Sequence, residues 1–452
     1  MARLMVSISG IRGIVGEALT PEVVQAFAAA FGAWARGNAG EGATVVVGRD
    51  SRPTGPMVAR AAESGLMAAG CSVIDVGLAP TPTIMLRVGR LGAAGGLAIT
   101  ASHNPAPWNA LKLIGPRGMF LRPEEAEAVL GRRKAGNLVS WEQVGKIDQD
   151  TGAVSDHIDA ILACGEVDVE AIRRAGFRVA LDCGRGAGGV LTPLLLEKLG
   201  CEVVGLDLEP DGLFSRNPEP VPENLGGLCD LVKESGADIG LAHDADVDRL
   251  AIVTEDGCAV GEECTLALAA EHVLGLAAGP VVTNLSTSSM VERICERAGV
   301  TCERTPVGEI HVADRLRAVG GAIGGEGNGG VILPSLQFTR DAPAAAALIL
   351  SHLARTGGRA SELVARLPRV PMQKSKFPLD GPVPVDLAER LLSVLPGATL
   401  DESDGVRLSA GESWVHVRAS NTEPLLRVIG ECPKDVDGLV RRAARAAGAR
   451  VS

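Results

Sequence analysis

A multidomain α/β chain is what this sequence predicts: three similar mixed α/β sandwich domains followed by a smaller α+β C-terminal domain. Three observations carry that expectation. The length of 452 residues exceeds what one hydrophobic core holds, since domains usually run to about 100–200 residues. Short continuous apolar runs alternate with helical patterns, and this alternation starts afresh twice. After a proline cluster the pattern changes to strand pairs beside helices. The expected divisions are residues 1–153, 154–257, 258–367 and 368–452, which leave a cleft between domains as the natural site.

In chain order, Thr20-Pro21-Glu22 supplies an N-cap with proline at the first helical position, predicting a helix to about residue 36. A strand at 44–47, a helix at 57–69, a strand at 73–76 and a helix after Pro82 follow, and then a buried strand ending at Thr100. The polar stretch 148–155 reads as a linker. Strands are expected again at 178–182, 202–206, 238–241 and 250–253, with the glycine-rich 184–189 leading into a helix. The third restart places strands at 281–284 and 322–324. Beyond Pro368, Pro371, Pro378, Pro382 and Pro384, strands at 414–418 and 425–428 alternate with helices at 386–393 and 435–447.

Composition narrows the function classes. A formal net charge of −11 gives no basic footprint for nucleic acid or an anionic membrane, so an anion site must be built locally. With no tyrosine and only Trp34, Trp108, Trp141 and Trp414, stacking on aromatic platforms is not expected. Ten cysteines fall singly, a pattern of reduced, buried thiols in a cytoplasmic protein. The first ten residues lack the apolar core of a signal peptide, and no apolar run reaches the roughly 18 residues of a membrane span.

Three polar stretches carry chemistry. Thr100-Ala101-Ser102-His103-Asn104-Pro105 follows the apolar run 96–99 and delivers the Ser102 hydroxyl to the rim of a sheet, as a nucleophile or phosphate carrier. Asp244-Ala245-Asp246-Val247-Asp248-Arg249 follows a strand directly, and alternation along extended backbone would point all three carboxylates to one side. An all-oxygen site of this kind suits a hard divalent cation, Mg²⁺ above all, whereas an EF-hand is excluded by the missing glycine and distal glutamate. Arg418-Ala419-Ser420-Asn421-Thr422, followed by Arg427, offers an arginine fork, hydroxyls and turn amides to a terminal phosphate. A fourth stretch, Gly325-Glu326-Gly327-Asn328-Gly329, brings a carboxylate and an amide out on backbone that a ligand can approach closely.

Together these four loops, in this order, resemble those of the α-D-phosphohexomutase superfamily along nearly the whole chain. Supporting stretches are Gly10-Ile11-Arg12-Gly13, Gly48-Arg49-Asp50-Ser51-Arg52 and Pro80-Thr81-Pro82. The resemblance implies four domains around a central cleft and an intramolecular phosphotransferase that interconverts hexose 6-phosphate and hexose 1-phosphate through a phosphoserine. It implies that Ser102 carries the phosphoryl group and that Asp244, Asp246 and Asp248 hold Mg²⁺, which also touches the Ser102 phosphate. Arg12, His103, Lys112 and Arg249 would surround the transferring group. Glu326 and Asn328, with Gly308 and Glu309 of the 305–309 turn, would read the sugar, and Arg418, Ser420, Asn421, Thr422 and Arg427 would grip the distal phosphate. A hexose 1,6-bisphosphate would serve as intermediate and activator, in a monomer or homodimer with a small phosphosugar as its partner. The Gly-Glu-Gly-Asn-Gly-Gly form of the sugar loop leans towards glucosamine phosphates, with mannose and glucose phosphates as alternatives. A metal-dependent sugar phosphatase and a non-catalytic sugar-phosphate-binding protein use the same residue types.

Overall fold

The computed structural model describes residues 4–7, 10–134, 138–379, 381–419 and 425–451. Four sheets follow one another along the chain. The first has seven strands in the order Met5–Ser7, Gly10–Ile14, Trp108–Ile114, Gly95–Ile99, Thr44–Arg49, Ser72–Leu78, Ile147–Gln149. Its central strands pair in parallel, and Trp108–Ile114 turns the sheet mixed by pairing antiparallel with both neighbours. The helix Pro21–Ala39 is capped by Thr20, whose hydroxyl accepts from the Val23 N–H, and it runs past the expected stop to close where the Gly40 N–H donates to the Arg36 carbonyl at 2.8 Å. The polar stretch expected as a linker is largely structured. Ile147–Gln149 adds to the edge of the first sheet in parallel with Ser72–Leu78, and the helix Ala153–Leu162 begins four residues later. Short polar edge strands carry no apolar run to betray them, which is why residues 147–149 read as linker.

The second and third sheets have four strands each, three parallel and one antiparallel. They are not independent bodies, because one apolar cluster runs from Ile158 to Leu367 and takes in core residues of both, while the other face of each sheet has a smaller cluster of its own. The helix Ala342–Thr356 lies inside that cluster and is buried from Ala342 to Ser351, which accounts for its apolar sequence. No described helix is long and apolar enough to cross a membrane. The last sheet is five-stranded and antiparallel, with Val436–Ala446 and Leu387–Val394 packed on it through a separate small core.

Candidate active site

Ser102 lies three residues beyond the strand Gly95–Ile99, in the left-handed region at φ 49°, where serine is uncommon. Two contacts hold the loop in that conformation. The Thr100 hydroxyl accepts from the Ser102 N–H at 2.9 Å. The fully buried Arg52 donates to the carbonyls of Ser102 (2.7 Å), Asn104 (2.7 Å), Pro105 (2.8 Å) and Trp108 (3.0 Å), and its Nε meets Asp50 Oδ2 at 3.0 Å. Arg52 thus spends its donors on the backbone of the serine loop. The sequence showed Arg52 only as part of a supporting stretch, since its partners stand some fifty residues away.

The acidic loop converges by a different route from the one expected. Residues 244–249 are not extended; they form a turn in which Val247 adopts φ 66° and the Asp248 and Arg249 N–H groups donate to Asp244 Oδ1 at 3.1 and 3.2 Å. The turn, rather than strand alternation, brings ligand oxygens of Asp244, Asp246 and Asp248 within 4.8 Å of one another, all buried. Ser102 Oγ donates to Asp244 Oδ2 at 3.1 Å and stands 3.4 Å from His103 Nδ1, so serine loop and acidic triad meet. Asp246 Oδ2 accepts from Lys112 Nζ at 2.6 Å and from the Thr81 hydroxyl at 2.7 Å. Burial works to raise all three carboxyls. In Asp244 repulsion from Asp248 and Asp246 reinforces it and the carboxyl is raised well above its ordinary range; in Asp246 it is outweighed by Lys112, and in Asp248 by Arg340, Lys112 and Arg249. Asp246 Oδ1 and Asp248 Oδ1 are buried without a hydrogen-bond partner, so the triad keeps unspent acceptor oxygens of the kind a hard divalent cation takes up.

Beside the triad, Arg340 joins three carboxylates from three segments. Its guanidinium donates to Asp248 Oδ2 at 2.6 Å, to Glu326 Oε2 at 2.8 Å and to Glu309 Oε2 at 2.9 Å. Burial would lower its basicity, but the three carboxylates raise it well above the ordinary arginine value. A side chain at Gly330 would collide with it, since a Cβ there would lie 2.1 Å from Arg340 Cδ. Glu309, expected at the sugar, instead spends its oxygens on Arg340 and the Thr339 hydroxyl, and Gly308 gives its N–H to Glu326 Oε1 at 3.1 Å. Arg340 escaped sequence reasoning because nothing local distinguishes it.

A cavity of about 410 Å³ opens among these loops. Arg12, His103, Glu219, Arg249, Glu262, Glu263, Glu326 and Asn328 line one side, and Lys374, Lys376, His416, Arg418 and Arg427 of the last domain line the other. Gly308 and Glu309 do not line it. Arg12 donates to Asn104 Oδ1 at 2.6 Å and so faces the serine loop. Burial, then the charges of Arg249 and Arg12, pushes the His103 imidazole down to about 3, leaving it neutral at pH 7. Opposite, Arg418 and Arg427 stand directly across from each other on neighbouring strands, and Lys376 pairs with Arg427 on the far side, so three cations share one row of the sheet. Like charges placed opposite one another are unfavourable unless an anion joins them. Ser420, Asn421 and Thr422, the rest of the expected phosphate loop, lie outside the described residues.

Comparison with known proteins adds the following. The chain matches the phosphoglucomutase/phosphomannomutase family part by part: alpha/beta/alpha domain I over residues 3–137, domain II over 155–257, domain III over 262–370 and the C-terminal domain over 375–449. It is 39% identical to the phosphoglucomutase/phosphomannomutase of Thermococcus kodakarensis, covering 94% of each chain. It is 37% identical to a probable phosphoglucosamine mutase of Methanopyrus kandleri, covering 94% of this chain and 93% of that one. Among solved structures, a phosphoglucomutase/phosphomannomutase family protein from Burkholderia thailandensis superposes with a TM-score of 0.85 at 28% identity, covering 99% of both chains.

Proposed function

This chain belongs to the phosphoglucomutase/phosphomannomutase family, and on that premise we propose that it is a phosphoglucosamine mutase interconverting glucosamine 6-phosphate and glucosamine 1-phosphate. The observation that carries the reading is the 3.1 Å contact between Ser102 Oγ and Asp244, which sets a serine hydroxyl on an acidic triad; the adjoining His103 and Arg249 line a cavity whose opposite wall carries a row of cations. Ser102, once phosphorylated, passes its phosphoryl group to the free hydroxyl of the bound sugar monophosphate: the serine O–P bond breaks, a sugar O–P bond forms, and the sugar hydroxyl's proton is made good at the serine oxygen. Arg12, Lys112 and Arg249 offset the charge that gathers on the transferring oxygens. Arg418 and Arg427 hold the other phosphate at a distance, and the resulting hexose 1,6-bisphosphate turns end for end before returning its second phosphate to Ser102. Asp244, Asp246 and Asp248 would hold a Mg²⁺ ion, which supplies further positive charge to the phosphoryl oxygens when bound. We infer a cytoplasmic protein, in keeping with its ten free cysteines.

The choice of sugar rests on the Gly-Glu-Gly-Asn-Gly-Gly loop and on relatives named probable phosphoglucosamine mutase. The name of the Thermococcus relative favours mannose and glucose phosphates as a second reading. Comparing kcat/KM for glucosamine, mannose and glucose 6-phosphates tests the assignment, with glucosamine expected to lead; equal values would remove the specific name. Phosphorus NMR tests the reaction class. Ester phosphate is expected to be conserved, and steady release of inorganic phosphate would point to a phosphatase instead.

A further inference from the structure

Asp404 sits in the loop before the strand Val406–Ala410 and does not line the cavity, yet it binds groups on both sides of it. Its Oδ1 accepts from Arg418 Nε at 2.8 Å, and its Oδ2 accepts from the Val307 N–H at 2.9 Å. Its carbonyl lies 2.7 Å from His416 Nε2 and has only lone pairs to offer, so Nε2 carries the proton. The other ring nitrogen, Nδ1, is then an acceptor for the Ser286 hydroxyl, 2.9 Å away. One residue therefore ties the phosphate-facing arginine of the last domain to the 305–309 turn of the third, and its carbonyl orients a histidine that crosses the same boundary. It is also the carboxylate paired with Arg418, which otherwise stands in a row with Arg427 and Lys376.

We infer that Asp404 is a positioning residue that registers the phosphate grip against the 305–309 turn, so that Arg418 is correctly aimed only while the last domain is seated on the third. This rests on the phosphohexomutase reading of the cavity. An arginine tied by one carboxylate oxygen to a partner that is itself tied to the opposite wall loses its aim when the domains separate. The grip on the distal phosphate and the closing of the cavity are then a single event. The bisphosphate, which is held at neither end by a covalent bond while it turns, depends on this coupling more than the monophosphates do.

The test compares Asp404→Ala, Asp404→Asn and the unaltered protein. In Asp404→Ala the KM for the sugar monophosphate is expected to rise about tenfold, the effect of losing one charge-assisted hydrogen bond. Escape of bisphosphate into solution per turnover, read by phosphorus NMR, should rise with it. Asparagine keeps one acceptor oxygen and should restore part of both losses. Independently of turnover, calorimetry on Ser102→Ala protein should show glucose 1,6-bisphosphate binding more weakly when Asp404→Ala is added. Unchanged affinity and unchanged bisphosphate escape in Asp404→Ala would overturn the inference, as would a loss of thermal stability that accounts for the whole kinetic effect. Failure of the mutase reading is separate from both, because it shows as absence of turnover in the unaltered protein.

Discussion

Ser102 occupies a left-handed backbone conformation at φ 49°, which costs roughly 1–2 kcal/mol for a residue with a Cβ and has to be enforced from outside. Thr100 does part of this through the hydroxyl that accepts the Ser102 N–H. Thr100→Val keeps the shape and removes the acceptor, leaving a buried N–H unpaired; urea unfolding should show a loss of about 1–3 kcal/mol, accompanied by lower turnover. Val247 presents a different balance at φ 66°. Glycine there would relieve a similar strain, but the Val247 side chain is fully buried and its removal costs about 1.5–3 kcal/mol plus a cavity, so Val247→Gly is expected to destabilise slightly. Ser102 and the three aspartates were legible because residue type and close spacing suffice to identify them. Arg52, Arg340 and Asp404 were not, since each is defined by partners that only folding brings near.

At the scale of elements, strands and helices of strong period were readable, and the failures were local. The edge strand Ile147–Gln149 is exposed, with one apolar residue in three, so no periodicity marks it. The three carboxylates of the acidic loop do converge, but through a turn and not a strand, because alternation describes strands and says nothing about a turn closed by its own carboxylate. Close approaches between elements were invisible for the same reason. Gly65, in the helix Gly55–Ala68, packs against Pro21–Ala39 so tightly that a Cβ would lie 2.4 Å from the Gln25 carbonyl oxygen. Gly65→Ala gains about 1 kcal/mol of helix propensity but forces apart two well-packed helices at a cost of about 1–3 kcal/mol, so a lower urea midpoint is expected. Gly330→Ala should be worse, because it displaces Arg340 from three carboxylates; losing a buried ion pair costs roughly 3–5 kcal/mol, and turnover should fall as the sugar loop and acidic triad come apart.

For the whole molecule, the seating of the last domain has a pH dependence with a defined sign. Burial, and then the Arg418 charge, push His416 down to about 4 from an ordinary 6.5, against the opposing pull of the Asp404 carbonyl. A histidine held neutral in the folded state contributes stability that is complete above 6.5 and is lost as pH falls towards 4, because the unfolded chain takes up the proton first. Protonation also removes the lone pair that accepts the Ser286 hydroxyl. NMR of the imidazole should find His416 neutral at pH 5.5, with the contact between the last two domains weakening below that. The cavity has a further consequence for how substrate arrives. Arg12, Arg249, Lys374, Lys376, Arg418 and Arg427 share the cavity with Glu219, Glu262, Glu263 and Glu326 inside a protein of net charge −11, so a phosphosugar dianion is repelled from afar and attracted only near the mouth. Salt shortens the reach of both fields, from about 30 Å at 0.01 M to about 8 Å at 0.15 M, and the long-range repulsion is the first to disappear. The rate of capture should therefore pass through a maximum as ionic strength rises, unlike that of an enzyme steered by its overall charge, which is fastest in the most dilute buffer.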